Sequence, residues 1–267
     1  SILPILAASL LTTKTVIIKD CPRLIDVENM ISILRILGCK VEWMGSTVFI
    51  DSSKANRWEM PEDLCREMHS SIVMLGPILA RFKRARLTYP GGCEIGLRPI
   101  NLHIKGLRDL KARITESQGY IDCEGTDLEG NEIHLDYPSV GATENIMLAA
   151  VTAKGQTIIR NAAKEPEIVD LQNFVNAMGG QVRGAGSNTI VIQGVKELES
   201  VEYRVIPDRI VAGTYMVAAA ITGGDIWIEN VIPDHLHPVI SKLREAGCTI
   251  DILPKKLHII GPSRPKA

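Results

Sequence analysis

The sequence predicts an α/β fold in which one unit of helices and short strands recurs along 267 residues. Two observations carry this. Leu6 to Asp20, Met147 to Asn161 and Val217 to Asn230 each read as an alanine-rich apolar helix, a Gly or Lys turn and a short β-branched strand. A second helix follows each of them, with apolar residues at helical spacing behind an acidic first turn. These second helices run over Asp26 to Leu37, Glu167 to Met178 and Asp234 to Ala246. Each stops at a glycine: Gly38, Gly179 and Gly247.

Taken in order, the first pass continues with strands at Cys39 to Trp43 and Thr47 to Ile50, joined by a Gly45-Ser46 turn. A fainter second pass runs from Ile72 through Arg86 to Tyr89, then Gly106 to Ile114 and Gly119 to Cys123. The third and fourth passes end in strand pairs at Gln181-Val182 with Thr189 to Ile192, and at Thr249 to Ile252 with Leu257 to Ile260. A period of about 70 residues lies outside the familiar solenoids. Helices alternating with strands call for helices packed on sheets. Passes two to four open with a short segment ending in proline: Trp58 to Pro61, Ile133 to Pro138 and Tyr203 to Pro207. Pass one starts at Ser1-Ile2-Leu3-Pro4, already at its helix, so the sequence is expected to be cut there.

Composition excludes several function classes. A net charge of −1 and 4% aromatic residues argue against nucleic acid and anionic membranes as partners. Six single cysteines with no CxxC pair argue against structural zinc and against a secreted disulfide framework. Cys21, Cys39, Cys123 and Cys248 read as packing thiols. Ile2 to Leu11 lacks a basic leader and a cleavage site, and no apolar run has membrane-spanning length, so a cytoplasmic chain is expected. There is no GxGxxG, no P-loop and no metal-ligand spacing.

One loop breaks the repeat. Where the other passes join strand to second helix by ordinary linkers, pass two carries Pro90-Gly91-Gly92-Cys93-Glu94-Ile95-Gly96-Leu97-Arg98-Pro99. Glycines let backbone approach a ligand, an arginine fork grips phosphate or carboxylate in two places, and a nearby cation activates a thiol. The alternative is an ordinary surface loop with a chance cysteine. Ser139 to Thr143, small residues at a helix start, can offer amides to a ligand or simply cap the helix. His69 stands at the equivalent place in pass two, as a ligand contact or a solvated cap. Asp208 and Arg209 occupy it in pass four, where an ion pair is expected. Glu165-Pro166-Glu167 is expected to cap the next helix.

The cysteine loop, followed by Asn101-Leu102-His103, resembles the catalytic loop of the UDP-N-acetylglucosamine 1-carboxyvinyltransferase family of enolpyruvyltransferases. Leu3 to Ala8, Ser139 to Thr143, Glu165 to Asp170 and Pro207 to Ile210 extend the resemblance along the chain. It implies a two-domain inside-out α/β barrel with three repeats to a domain. Residues 1–201 would form the first domain and 202–267 the first repeat of an incomplete second one. It implies transfer of enolpyruvate from phosphoenolpyruvate to the 3′-hydroxyl of UDP-N-acetylglucosamine, with release of phosphate, as the first committed step of peptidoglycan synthesis. Cys93 would be the proton donor, and Arg98 would hold phosphoenolpyruvate. Pro99, Ile100, Asn101 and Leu102, with Arg98 itself, would line the UDP-sugar site, faced by Ser139, Val140 and Gly141. His69 stands where many relatives have arginine, and Asn101 where aspartate is common. No metal or redox cofactor and no protein partner is implied. The family's Lys-Asn pair would fall before Ser1, and its general-base aspartate and a further arginine beyond Ala267. Two rival readings remain. One is the shikimate-pathway enolpyruvyltransferase, which lacks the cysteine loop. The other is a truncated chain or pseudoenzyme that only binds a UDP-sugar.

Overall fold

The structure, a computed structural model, describes residues 1–91 and 99–266. The chain forms two compact units, Ser1–Val205 and Ile206–Ala267.

In the first unit α1 (Ile2–Ala8) runs on through a 3-10 turn into β1 (Thr15–Lys19), α2 (Ile25–Ile36), β2 (Lys40–Met44) and β3 (Thr47–Asp51). The second pass is α3 (Glu62–Glu67), a 3-10 segment (His69–Met74), α4 (Leu75–Phe82), β4 (Arg84–Thr88), α5 (Asn101–Asp109), β5 (Arg113–Ser117) and β6 (Tyr120–Glu124). The third is β7 (Glu132–His134), α6 (Val140–Ala150), β8 (Gln156–Arg160), α7 (Pro166–Ala177), β9 (Gln181–Arg183) and β10 (Thr189–Gln193), followed by β11 (Val201–Arg204).

The strands form three sheets ordered β11-β1-β3-β2, β4-β6-β5 and β7-β8-β10-β9. One face of each is apolar. Val16, Ile18, Val48 and Ile50 of the first sheet are fully buried while their neighbours alternate outward. The second and third openings pair in parallel, the third as β7 with β8 and the second only through an isolated bridge from Glu59 to Arg86. The opening assigned to pass four does not join pass four. As β11 it pairs in parallel with β1, Val16 against Val201, so the first unit ends at Val205 rather than at residue 201.

Helices α1, α4 and α6 pack together inside the first unit. α6 is buried from Ala142 through Ala150, including its polar residues Thr143, Glu144 and Asn145. Its approach to α4 is close: a Cβ on Gly76 would stand 2.4 Å from the Asn145 carbonyl oxygen. The second helices α2 and α7 stop at Gly38 and Gly179, whose φ of 103° and 90° favour glycine. Glu165 stands at the N-cap of α7 but makes no side-chain cap; Pro166 opens the helix instead. The Gly106 to Ile114 stretch of the second pass spans the end of α5, which begins at Asn101, and the start of β5.

The second unit consists of α8 (Arg209–Thr222), β12 (Asp225–Glu229), α9 (His237–Glu245), β13 (Thr249–Leu253) and β14 (Lys256–Ile260), with strand order β12-β14-β13. Met216, Leu236, Ile240, Leu257 and Ile259 form its core. Asp208, expected to pair with Arg209, caps α8: its Oδ1 accepts from the amides of Ile210 at 2.8 Å and Val211 at 3.1 Å. The helix expected over Asp234 to Ala246 is split. Pro233–Leu236 is a 3-10 turn, and Pro238, which has no N–H to donate, sits in the first turn of α9. No described helix is long and apolar enough to cross a membrane.

Candidate functional site

A cavity of 350 Å³ opens where α6 begins and the 3-10 segment at His69 leads into α4. Ser139 is extended there, and its Oγ accepts from the Ala142 amide at 3.3 Å. Its carbonyl accepts from the Thr143 amide at 2.9 Å and from the Thr143 hydroxyl at 2.7 Å. This cap leaves the positive end of α6 at the cavity wall. Of the two sequence readings, the structure shows the cap; Ser139 also lines the cavity.

The His103 ring lies over Gly141; a Cβ there would stand 3.2 Å from Cε1 and 3.4 Å from Nε2, so the ring would have to give by a few tenths of an ångström. The tautomer of His103 follows from Asn145. The Asn145 Oδ1 accepts from the Gly76 amide at 2.6 Å. Its NH₂ group therefore donates to the Ile72 carbonyl at 3.0 Å and to His103 Nδ1 at 3.0 Å. The ring proton then sits on Nε2, toward Gly141 and the cavity. Burial, with His69 adding to it, pushes the imidazole down to about 4, so His103 is a neutral donor at physiological pH.

Glu144 also lines the cavity and is 6% exposed. Burial pushes its carboxyl up to about 8, with Glu167 and Glu165 adding to the rise and the Ser1 amino group opposing it. At neutral pH it holds a proton. Asp26 and Glu67 complete the acidic part of the wall, and no lysine or arginine is among the described lining residues.

The sequence-predicted residues divide. His69, Pro99, Ser139 and Gly141 meet on this one cavity. Ile100 and Asn101 line a neighbouring cavity of 450 Å³ with Pro99, Lys105 and Arg108. Val140 packs against the core. Leu102, in the first turn of α5, is 2% exposed and packs in the core; it is not among the described residues that line either cavity. Cys93 and Arg98 lie outside the described residues. Sequence reasoning missed His103, Glu144 and Asn145. The signal was present in Glu144-Asn145, two polar residues in an otherwise apolar helix.

Cys21, Cys39, Cys123 and Cys248, read as packing thiols, are buried and free, as is Cys65, and burial pushes Cys21 and Cys123 up to about 12. Among the described residues no group of His, Cys, Asp and Glu could hold a metal ion.

Residues 1–266 match the family described as EPSP synthase (3-phosphoshikimate 1-carboxyvinyltransferase). The UDP-N-acetylglucosamine 1-carboxyvinyltransferase 2 of Caldanaerobacter subterraneus subsp. tengcongensis is 55% identical over 267 residues, 100% of this chain and 64% of that protein. The UDP-N-acetylglucosamine 1-carboxyvinyltransferase 1 of Carboxydothermus hydrogenoformans is 53% identical over 250 residues, 94% of this chain and 59% of that protein. The chain thus spans less than two thirds of these relatives. Among solved structures, the enolpyruvyl transferase NikO from Streptomyces tendae superposes with a TM-score of 0.87 at 22% identity, covering 99% of this chain and 64% of NikO. An EPSP synthase from Acinetobacter baumannii gives 0.70 at 23%, covering 96% and 62%. The repeated units, the fold and the match over nearly every residue agree: the chain belongs to the EPSP synthase (3-phosphoshikimate 1-carboxyvinyltransferase) family.

Proposed function

We propose that this chain carries the first domain and part of the second domain of an enzyme that transfers enolpyruvate from phosphoenolpyruvate to the 3′-hydroxyl of UDP-N-acetylglucosamine, releasing phosphate for peptidoglycan synthesis. The observation that carries it is the meeting of His69, Pro99, Ser139 and Gly141, from three separate segments, on one cavity. The relatives at 55% and 53% identity are named for the UDP-sugar reaction, and the chain carries the Cys93 loop that distinguishes them from the shikimate-pathway enzyme.

In this reading the UDP-sugar lies against Ser139 and Gly141. The Nε2–H of His103 and the positive end of α6 meet its acceptor oxygens. Positive charge comes from Arg98, whose chain neighbour Pro99 lines the cavity. Cys93 gives a proton to C3 of phosphoenolpyruvate as the sugar oxygen adds to C2. Loss of phosphate and of a C3 proton then restores the vinyl group.

Phosphate release by the whole enzyme containing this chain, with UDP-N-acetylglucosamine and with shikimate 3-phosphate as alternative acceptors, tests the reading. Turnover with the second acceptor only would overturn it. Arg98→Lys is expected to weaken phosphoenolpyruvate use by about 2–5 kcal/mol in kcat/KM, because a point charge cannot reproduce the fork. Limiting alkylation followed by peptide mapping is expected to label Cys93 before any of the five buried thiols.

A further inference from the structure

A second cavity, of 780 Å³, lies beyond the other end of the inner helices. Ser139 and Gly141, at the start of α6, line the first cavity; Thr152 to Gly155, past its last turn, line the second. The 11 residues of α6 separate the two by roughly 16 Å. Three helix-to-strand turns wall this second cavity, and each carries a lysine: Lys14 before β1, Lys83 before β4 and Lys154 before β8. Arg81 and Lys196 add two more cations, against a single lining carboxylate, Glu197.

Some of that charge is structural. The Arg81 guanidinium donates to the carbonyls of Leu10 at 2.9 Å, Thr12 at 2.8 Å and Ser52 at 2.6 Å, closing the exposed end of the α1 arm. The lysines are held more loosely. Lys83 Nζ donates to the Ala80 carbonyl at 2.8 Å. Lys14 pairs with Glu199, and Lys154 with Asp127 at 2.7 Å, in rim contacts whose side chains are 45–75% exposed. Such pairs are worth about 1 kcal/mol or less and exchange readily. Burial pulls the Lys83 ammonium below its ordinary value, and the nearby Lys154 charge adds to this while Asp127 opposes it.

A general preference for cations at helix C-termini does not account for these lysines. α8, at 14 residues the longest helix described, ends in Gly223-Gly224 at the same turn, with no basic side chain. We propose that this cavity binds a small anion of linked phosphate groups, with Lys83 and Lys154 closing on it from two turns. The proposal shares no residue with the Ser139 cavity and does not rest on the enolpyruvyl-transfer reading.

Titration calorimetry of the chain with inorganic tripolyphosphate, at about 0.15 M ionic strength, tests it. Saturable one-to-one binding and a raised melting temperature are expected. Lys83→Asn, which tolerates the left-handed φ of 62° at that position, and Lys154→Gln are each expected to weaken binding by about tenfold, the loss of one charge-assisted hydrogen bond. Lys242→Gln, the same loss of charge on exposed α9, is expected to change nothing. If Lys83→Asn lowers the melting temperature of the free chain, Lys154→Gln combined with Lys196→Gln carries the test. No binding at about 5 mM, binding that survives these substitutions, or an equal loss in Lys242→Gln would each overturn the proposal.

Discussion

Helices α6 and α8 begin from the same kind of sequence and end in opposite environments. Both are alanine-rich and mostly apolar, each with a single charged residue, Glu144 in α6 and Arg209 in α8. α6 packs against α1, α4, α5 and α7 and is buried throughout from Ala142. α8 packs on β12, β14 and α9 through Ala212, Met216, Ala219 and Ala220. Its other side leaves Ile210 59%, Tyr215 60% and Ile221 71% exposed. A mostly apolar helix is a demand for partners on most sides. The first unit meets that demand with its own repeats. Within the described second unit one side of α8 stays uncovered.

The largest effect expected from breaking this contrast is at two glycines. Gly76→Ala would drive a Cβ into the Asn145 carbonyl oxygen at 2.4 Å, and is expected to cost about 3 kcal/mol or more by forcing α4 from α6. Gly213→Ala, on α8, meets nothing nearer than 3.8 Å and is expected to stabilise its unit by up to about 1 kcal/mol. Denaturant melts followed through Trp43 and Trp58 for the first unit, and Trp227 for the second, separate the two. Equal effects would show that the helices are packed alike.

Asn145→Ala is expected to cost about 2–4 kcal/mol, because it strands the Gly76 amide and the Ile72 carbonyl and frees the His103 ring. The corresponding loss on α8 is smaller. Asp208→Ala removes an exposed cap and is expected to cost about 1 kcal/mol. Equilibrium unfolding of the two variants decides whether buried polar contacts outweigh exposed ones here.

A pH series sharpens the contrast further. The folded state holds the Glu144 proton up to about pH 8, whereas the unfolded chain releases it near its ordinary carboxylate value. Its contribution is therefore fully favourable below that ordinary value and is lost as pH rises through 8. Glu144→Gln is expected to match wild type near pH 4 and to exceed it by about 1–3 kcal/mol at pH 9. A constant difference across the series would remove Glu144 as a buried proton holder. The smallest effect is expected from Ile221→Gln on the open side of α8: within about 0.5 kcal/mol in stability, with less self-association by light scattering.

What could be read from sequence was local. Helix period, strand alternation and the glycines at 38, 179 and 247 are each fixed by a few neighbouring residues, so the repeats and most elements were legible. The partner of β11 was not, because the hydrogen bonds of an extended segment carry no address. Leu102 was assigned to the site from a motif, although its direction depends on where α5 starts. His69, Ser139 and Gly141 were visible as a register across repeats. Glu144, His103 and Asn145 were not, because a polar residue in an apolar helix does not say which group across the core will meet it.

The pairing of β1 with β11 also governs what happens while the chain is being made. Val16 meets Val201, so β1 leaves the ribosome 185 residues before its parallel neighbour. At typical elongation rates that interval is roughly 10–40 s. Through it β1 can pair with β3 on one side while its other edge offers bare backbone to any extended segment nearby. The sheet of the first unit is closed by the last strand of that unit to be made, so its register is settled only when the unit is complete.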